Sequence, residues 1–595
     1  MRLNHRPRRS KLLRRGGALA VLAFLLGWVF WPRGPGPDLI VYGGTPQGVM
    51  AAVTAARQGE RVLLLEPGRG VGGQLTQAWL ATLDMSTDAR GNPLAQGLFH
   101  EFFRGLHHDN SFDVGGAQVL LAGLLRSAGV QVRLGTEVSG VQVRANRVTR
   151  LTTQGPEGPR TLVVRELIDA SDTARLAALA GAHFTAGRED TGLGAAQMAA
   201  TLVFRIRGAD LGVLAERVHQ EHGREDGQRS RSLSGLVALT SGYLPSDPAR
   251  FHLRGFNAAV QGDGSLLVNA LLIYGVDGTS EVSVRRAYQE GAREARRVVA
   301  SLHDHFPDAF GHASFGGVAP QLYLRESRHL LGVRRLTASD VLYGHTFPDA
   351  VAVNAYALDG QTYLPGQAPF LLGTPRPYGV PLGALLPPGF RNLLVVSQAA
   401  SFGSVAAFSA RVVPLQMTLG EAAGQASVLA HWLRLDYPAI DQGPVWPGLL
   451  RVMLRLHHGR VDRPAPPASA PCRDAGQPGA LQATALLHAG LMSAPYYYVG
   501  CLYLDQPETV QSFLNDLEHA GAAGPTEQLN TLRASARAGE LLSADRARGL
   551  LTSLGLSTAS PVLARSSGTR PLRRGEVAAL RWFLLRQEPP VARRE

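Results

Sequence analysis

Cysteine is scarce in this chain: 595 residues carry only Cys472 and Cys501. Two thiols cannot hold an internal cysteine-ligated iron–sulfur cluster, which takes four thiolates. Their spacing also rules out a Cys-x-x-Cys dithiol centre. In an oxidising compartment the two can form one disulfide. No zinc-finger spacing and no base-stacking aromatic motif occurs, so nothing beyond bulk charge points to nucleic acid. That charge is uneven. The formal net charge is +13, and eight of those charges come from Arg2, Arg6, Arg8, Arg9, Lys11, Arg14, Arg15 and Arg33, before Asp38, in a stretch without an acid. A basic terminus, rather than a basic binding face, accounts for much of the excess. No nucleic-acid partner, iron–sulfur cluster or metal site is expected.

Long apolar runs are also rare. Gly16 to Trp31 is a run of 16 residues without charge, followed by Pro32-Arg-Gly-Pro-Gly-Pro37. It reads as a signal peptide or short signal anchor, with Leu12 and Leu13 adding apolar length when Arg14 and Arg15 snorkel. The basic side stays cytoplasmic, which places the body outside. No clear Ala-x-Ala cleavage site precedes Asp38, which favours an uncleaved anchor. Arg8-Arg9 also resembles a twin-arginine signal, a route suited to a protein exported already folded. The expectation is a membrane-anchored or exported, extracytoplasmic body.

The chain is too long for one ordinary domain, and 45% of it is hydrophobic, enough for real cores. Asp38-Leu-Ile-Val-Tyr42 leads into Gly43-Gly44-Thr45-Pro46-Gln47-Gly48 and then alanines. This is strand, tight turn and helix, the arrangement that presents backbone N–H groups to a dinucleotide diphosphate. Gly43 permits the turn and Gly48 the approach of helix to strand, while Thr45 stands where the middle glycine usually falls. Glu66 ends the next apolar run, 18 residues after Gly48. Its carboxylate can accept both ribose hydroxyls and would repel a 2′-phosphate. Gly72 and Gly73 let the chain cross near the diphosphate, with Thr76 as a hydrogen-bonding candidate or part of a plain turn.

The rest of the chain falls into regions. Residues 38–200 form a first nucleotide-binding part, with a hairpin around Ala145-Asn146 and a core return at Leu162 to Ile168. Residues 201–375 are a mixed α+β substrate or cap domain, with strand candidates at Leu202 to Ile206, Leu266 to Ile273 and Ala350 to Ala357, and a helix from Val282 to Leu302. Residues 376–435 return to the first domain through the strand Asn392 to Ser397 and the helix Pro414 to Leu429. Residues 436–595 are a Pro-rich linker and a helical accessory region. There Arg573-Arg-Gly-Glu-Val577 faintly resembles part of a surface-layer homology repeat.

With these pieces in order, the chain resembles the FAD-dependent oxidoreductase family that opens with Gly-Gly-Thr-Pro-x-Gly. The supporting pieces are Gly72-Gly-Gln-Leu-Thr76, Ile168-Asp-Ala-Ser-Asp172, Arg325-Glu-Ser-Arg328, Tyr378-Gly-Val-Pro381, Asn392-Leu-Leu-Val-Val396 and Gly420-Glu-Ala-Ala-Gly424. The resemblance spans residues 38 to 435. It implies a Rossmann-type α/β FAD-binding domain with an inserted mixed domain, a noncovalently held FAD and redox chemistry on an undefined substrate. Some relatives carry cysteine-bound clusters, which this chain cannot.

The resemblance extends the cofactor-binding set to Gly43, Gly44, Thr45, Pro46, Gly48, Glu66, Gly72, Gly73, Thr76, Val138, Asp169, Ser397, Gln398 and Gly420. Thr45 can donate its hydroxyl to phosphate. Val138 offers backbone to adenine. Asp169 binds through water or caps the following helix, and Asp172 reads as a local cap. Ser397 and Gln398 lie where the ribityl chain passes. Gly420 either places a helix dipole near the flavin or allows close helix packing. The catalytic candidates are Arg325, Arg328, Arg411 and Tyr378. The arginines suit a cation beside the reduced ring or a carboxylate-bearing substrate, or else ion pairs such as Arg325 with Glu326. Tyr274, Tyr356 and Tyr378 are acid or stacking candidates, and no nucleophile–base pair is assignable. The expected activity is transfer of a hydride or electron pair from a small-molecule substrate to flavin, by a dehydrogenase or oxidase with an unknown electron acceptor. The alternatives are net non-redox chemistry on a flavin scaffold, or a surface-attached binding protein retaining FAD.

Overall fold

The computed structural model describes residues 36–587 except 89, 108–109, 223–230, 368, 373–375, 463, 465–478, 490–503, 505–506, 520–525, 538 and 567. The basic and apolar N-terminal run and both cysteines lie outside the described residues. Among the described residues, no helix is long and apolar enough to cross a membrane.

A five-stranded parallel sheet forms the centre of the first domain, in the order Leu393–Val395, Glu166–Asp169, Leu39–Tyr42, Val62–Glu66, Gln131–Leu134. Its inner strands read as continuous apolar runs because both faces are covered; Leu39, Ile40, Val41 and Tyr42 are fully buried. The chain steps outward from Leu39–Tyr42 through two strands, then returns on the other side of Leu39–Tyr42. The strand order therefore reverses at the carboxyl end of that strand, where open α/β sheets bind their ligands.

The helix Pro46–Arg57 begins at this point. Thr45 caps it, accepting from the Gly48 N–H at 3.2 Å, and Pro46 takes the first turn. Its alanine-rich outer face meets the buried helix Val413–Leu433. The approach is backbone to backbone: a Cβ on Gly420 would fall 2.1 Å from the Gln47 carbonyl oxygen, and one on Gly424 2.6 Å from that of Ala51.

The expected hairpin is present as Glu137–Arg144 and Arg147–Gly155, with positive φ at Ala145 (47°) and Asn146 (63°), as a two-residue turn of right-handed strands requires. The return at Leu162 to Ile168 divides into two strands. Gly158–Val163 completes the antiparallel meander, and Glu166–Asp169 enters the parallel sheet.

The middle region builds its own core. A five-stranded antiparallel sheet runs Ser232–Gly235, Phe256–Val260, Leu266–Val268, Phe204–Arg207, Ser314–Val318. The apolar run Leu266 to Ile273 is not one strand. It breaks at Asn269-Ala270, and Leu271–Ile273 joins a separate sheet with Phe251–Leu253 and Ala200–Thr201. The helix Glu281–His305 covers this region through Ala287, Gly291, Ala295, Val298 and Leu302.

The C-terminal region is helical, and it carries an internal repeat not seen in the sequence. Glu508 N donates to the Leu572 carbonyl (2.9 Å), Leu572 N to that of Leu542 (2.7 Å), and Leu542 N to that of Glu508 (2.8 Å). These bonds close a ring of three segments, each running straight into a helix: Val510–His519, Ala544–Ser553 and Arg574–Gln587. Phe513, Leu517, Leu542, Leu551 and Leu580 share the core beneath.

Candidate active site

The glycine turn after Leu39–Tyr42 is built on backbone contact. Gly43 has φ 105°, and a Cβ there would lie 2.8 Å from the Ala170 carbonyl carbon; a Cβ on Gly48 would lie 2.0 Å from the Gly43 oxygen. Only glycine fits either position. Glu66 lies beneath. Its Oε2 accepts from the Gly44 N–H at 2.6 Å and its Oε1 from the Gly68 N–H at 2.5 Å. Burial pushes its pKa up against the pull of those two N–H groups.

Several expected roles change. The Thr45 hydroxyl donates to the Ala170 carbonyl at 2.8 Å and accepts from Gly48 N. Its proton is spent on holding the turn, so the reading of a phosphate donor is corrected. Thr76 Oγ1 donates to the Val71 carbonyl at 2.6 Å and accepts from Gln77 Nε2 at 3.1 Å. It closes the Gly72-Gly73 loop, as a plain turn residue does. Asp169 accepts from Ser171 N, Ser171 Oγ and Ala177 N at 3.0, 2.6 and 2.7 Å. Of its two readings, the local cap is the observed one. Gly420 lies inside its helix on the Gln47 contact, the packing alternative. Val138 is fully buried, and its backbone pairs with Thr153. Ser397 is fully buried, with Oγ accepting from Ala399 N at 3.1 Å.

The crevice also holds groups that sequence reasoning missed. Gln74 Nε2 donates to Gln398 Oε1 at 2.5 Å and lies 3.4 Å from Asp172 Oδ1. Asp172 is thus a crevice residue rather than a simple cap. Burial, then repulsion from Glu66, pushes its pKa up to about 7. A buried acid with a raised pKa beside a second carboxylate was the available signal, but it is a tertiary one. These residues fit an adenine dinucleotide. Glu66 ion-pairs with no described cation, so each oxygen keeps a lone pair that a sugar hydroxyl can use. Around it the turn is lined by glycine.

A polar cavity of about 190 Å³ borders the segment Tyr323-Leu324-Arg325. Gln398 Nε2 donates to the Leu324 carbonyl at 2.9 Å, while Tyr323 and Arg325 line the cavity with Arg254, Arg411, Asp84, Asp359 and Tyr356. Arg411 Nη2 pairs with Asp359 Oδ2 at 2.9 Å and Nη1 donates to the Tyr323 hydroxyl at 3.0 Å. The Arg325 guanidinium stacks 4.4 Å from the centroid of the Tyr323 ring.

Of the four catalytic candidates, the structure brings Arg325 and Arg411 together and leaves Arg328 and Tyr378 elsewhere. Arg328 lies over the Phe184 ring, 5.3 Å from its centroid. Tyr378 is fully buried, its hydroxyl on Ser409 Oγ (2.8 Å) and Asn354 Nδ2 (3.0 Å), and burial pushes its pKa up to about 12. It belongs to an interior network and does not line this cavity. Glu326 does not pair with Arg325 either. It takes His329 Nε2 at 2.9 Å, the Tyr363 hydroxyl at 3.2 Å and Met198 N at 2.9 Å.

The family described as FAD dependent oxidoreductase matches residues 38–445, and the chain belongs to it. FAD is its cofactor. No curated protein sequence matches the chain. Solved structures that match the chain include the following three. A geranylgeranyl bacteriochlorophyll reductase-like protein from Thermoplasma acidophilum shares 11% identity over 71% of this chain and 83% of its own, with TM-score 0.34. The p-nitrophenol 4-monooxygenase PnpA from Pseudomonas putida shares 13% over 70% and 92%, with TM-score 0.32. The myxobacterial chondrochloren halogenase CndH shares 14% over 68% and 77%, with TM-score 0.37.

Proposed function

We propose that the chain oxidises a small organic substrate held in the polar cavity, as a dehydrogenase or oxidase, with a separate acceptor taking the electrons onward. Bound FAD would supply the two-electron acceptor for the hydride or electron pair. The observation that carries this reading is the shared wall: Gln398 on the crevice side hydrogen-bonds the Leu324 carbonyl at 2.9 Å, and its neighbours Tyr323 and Arg325 face the cavity. A substrate there would touch the segment that Gln398 holds from the crevice side.

The chain's own groups can manage the proton. Asp84 meets the Tyr356 hydroxyl, and burial, followed by repulsion from Asp359, pushes its pKa up. Its burial favours the protonated form, which suits a group that takes up or passes on a proton. Arg411, fixed by Asp359 and Tyr323, orients what enters. The extracytoplasmic body with an N-terminal anchor remains part of this proposal and rests on the apolar run Gly16 to Trp31 and the basic residues before it.

The test is an absorbance spectrum of the purified protein followed by anaerobic titration with small organic metabolites. Flavin bands that bleach with one compound, and return with an acceptor, are expected. An isomerised product released without bleaching would instead favour net non-redox chemistry.

A further inference from the structure

The polar cavity holds more positive charge than it neutralises. Three guanidiniums line it, those of Arg254, Arg325 and Arg411, against two carboxylates, Asp84 and Asp359. Only Arg411 has an acid partner, Asp359 at 2.9 Å. Arg325 is 3% exposed. Its Nη1 donates to the Ala199 carbonyl and Thr201 Oγ1, both at 2.8 Å, and its Nη2 reaches only Asn269 Oδ1 at 3.4 Å. Arg254 donates to Gln361 Oε1 at 3.0 Å and lies 3.5 Å from the Asn269 carbonyl oxygen, while its buried Nε has no partner. Among the described residues no carboxylate pairs with either. A buried guanidinium without an anion is costly, and the usual remedy is a paired acid. Here burial, with Arg254 and Arg411 nearby, pulls the Arg325 pKa down to about 10, so the side chain stays charged at neutral pH and lacks a counter-ion.

The two guanidiniums converge. Both reach Asn269, at the break between Leu266–Val268 and Leu271–Ile273. We propose that this cavity takes the carboxylate of a small organic acid, clamped between Arg325 and Arg254. This rests on the oxidation reading above and names its substrate class. The planar fork of arginine suits a carboxylate. The small cavity, with two acids already inside, suits a monoanion better than a phosphate dianion. Leu80 and Phe256 supply apolar wall for the rest of the acid.

The experiment is calorimetric titration of the flavin-loaded full chain with acetate, succinate and benzoate, each against its amide, and with inorganic phosphate. At least one carboxylate is expected to bind about tenfold or more tighter than its amide, the size of one charge-assisted contact. Arg254→Gln and Arg325→Gln should each remove that preference while flavin content stays unchanged. Arg254 is only half-buried, so its variant tests the clamp even if Arg325→Gln does not fold. Equal binding of acid and amide, tighter binding of phosphate, no binding of any acid, or a preference that survives Arg254→Gln would each overturn the proposal. The titration needs no turnover. A chain that clamps an acid but is never reduced by a substrate would sink the oxidation reading alone, and one reduced by a neutral compound without acid preference would sink the clamp alone.

Discussion

Asp441 and Asp349 meet carboxyl to carboxyl beside the turn at Gly383, whose N–H lies 3.4 Å from Asp349 Oδ2. Burial, then repulsion from Asp349, pushes the Asp441 pKa from 3.8 up to about 7. The folded value lies above the unfolded one, so the unfolded chain releases this proton first. The site therefore costs nothing below about pH 4, costs progressively more up to about pH 7, and a constant amount above that. Asp441→Asn removes the titration. Its thermal midpoint relative to the parent should rise between pH 4 and pH 7 and then level off. An equal difference at pH 4 and pH 8 would contradict the raised value. The same scale shows what was legible in the sequence. The glycine turn and Glu66 were readable because their spacing is local and their chemistry is fixed by backbone contact. Arg328 and Arg325 share one short motif, but the chain bends at Arg325 and Ser327 and Arg328 opens the strand Arg328–Leu330, so only Arg325 lines the cavity while Arg328 lies over Phe184. Asp84 and Arg254 reach the cavity from distant loops, and nothing in their own neighbourhoods marks them.

Elements carry the cofactor crevice through one crossing. Pro46–Arg57 and Val413–Leu433 touch backbone to backbone at Gly420 and Gly424, and the first of these helices starts at the diphosphate turn. The glycine pair was visible in the sequence with two readings, a dipole near the flavin or close packing, and distance decides for packing. Gly420→Ala places a methyl group 2.1 Å from the Gln47 carbonyl oxygen, against main chain that cannot swing aside. Overpacking of this kind costs about 1–3 kcal/mol. The expected result is a lower unfolding midpoint together with weaker flavin retention on dialysis, since the displaced helix carries Thr45 and Pro46 with it. Unchanged retention would show that the crossing does not position the crevice. The broken strand at Asn269 is the opposite case. An unbroken apolar run hides the break, because its two halves are buried in two different sheets and periodicity cannot tell one long strand from two short ones.

At the scale of the whole molecule, two bodies of different chemistry share one chain. The family match ends at residue 445, but the fold does not. Trp446–Leu456 buries Leu450 and Leu454 in the main core, Asp462 ties back to Arg451 and Arg455 at 2.8 and 2.7 Å, and Ala480–Ala489 sends Ala480, Ala483 and Leu486 into the same core. Beyond that, the three-segment ring and its helices pack on a core of their own. The crevice and cavity residues named above run from Gly43 to Arg411, and none comes from the ring. A chain ending at Ala489 should therefore keep its flavin spectrum and bind carboxylates within about twofold of the parent, a difference of less than half a kcal/mol. It should lose thermal stability, because Ala578 packs into the main core and its cover goes with the deletion. Loss of flavin on this truncation would mean that the ring braces the crevice through Ala480–Ala489, and the two bodies would then have to be treated as one functional unit.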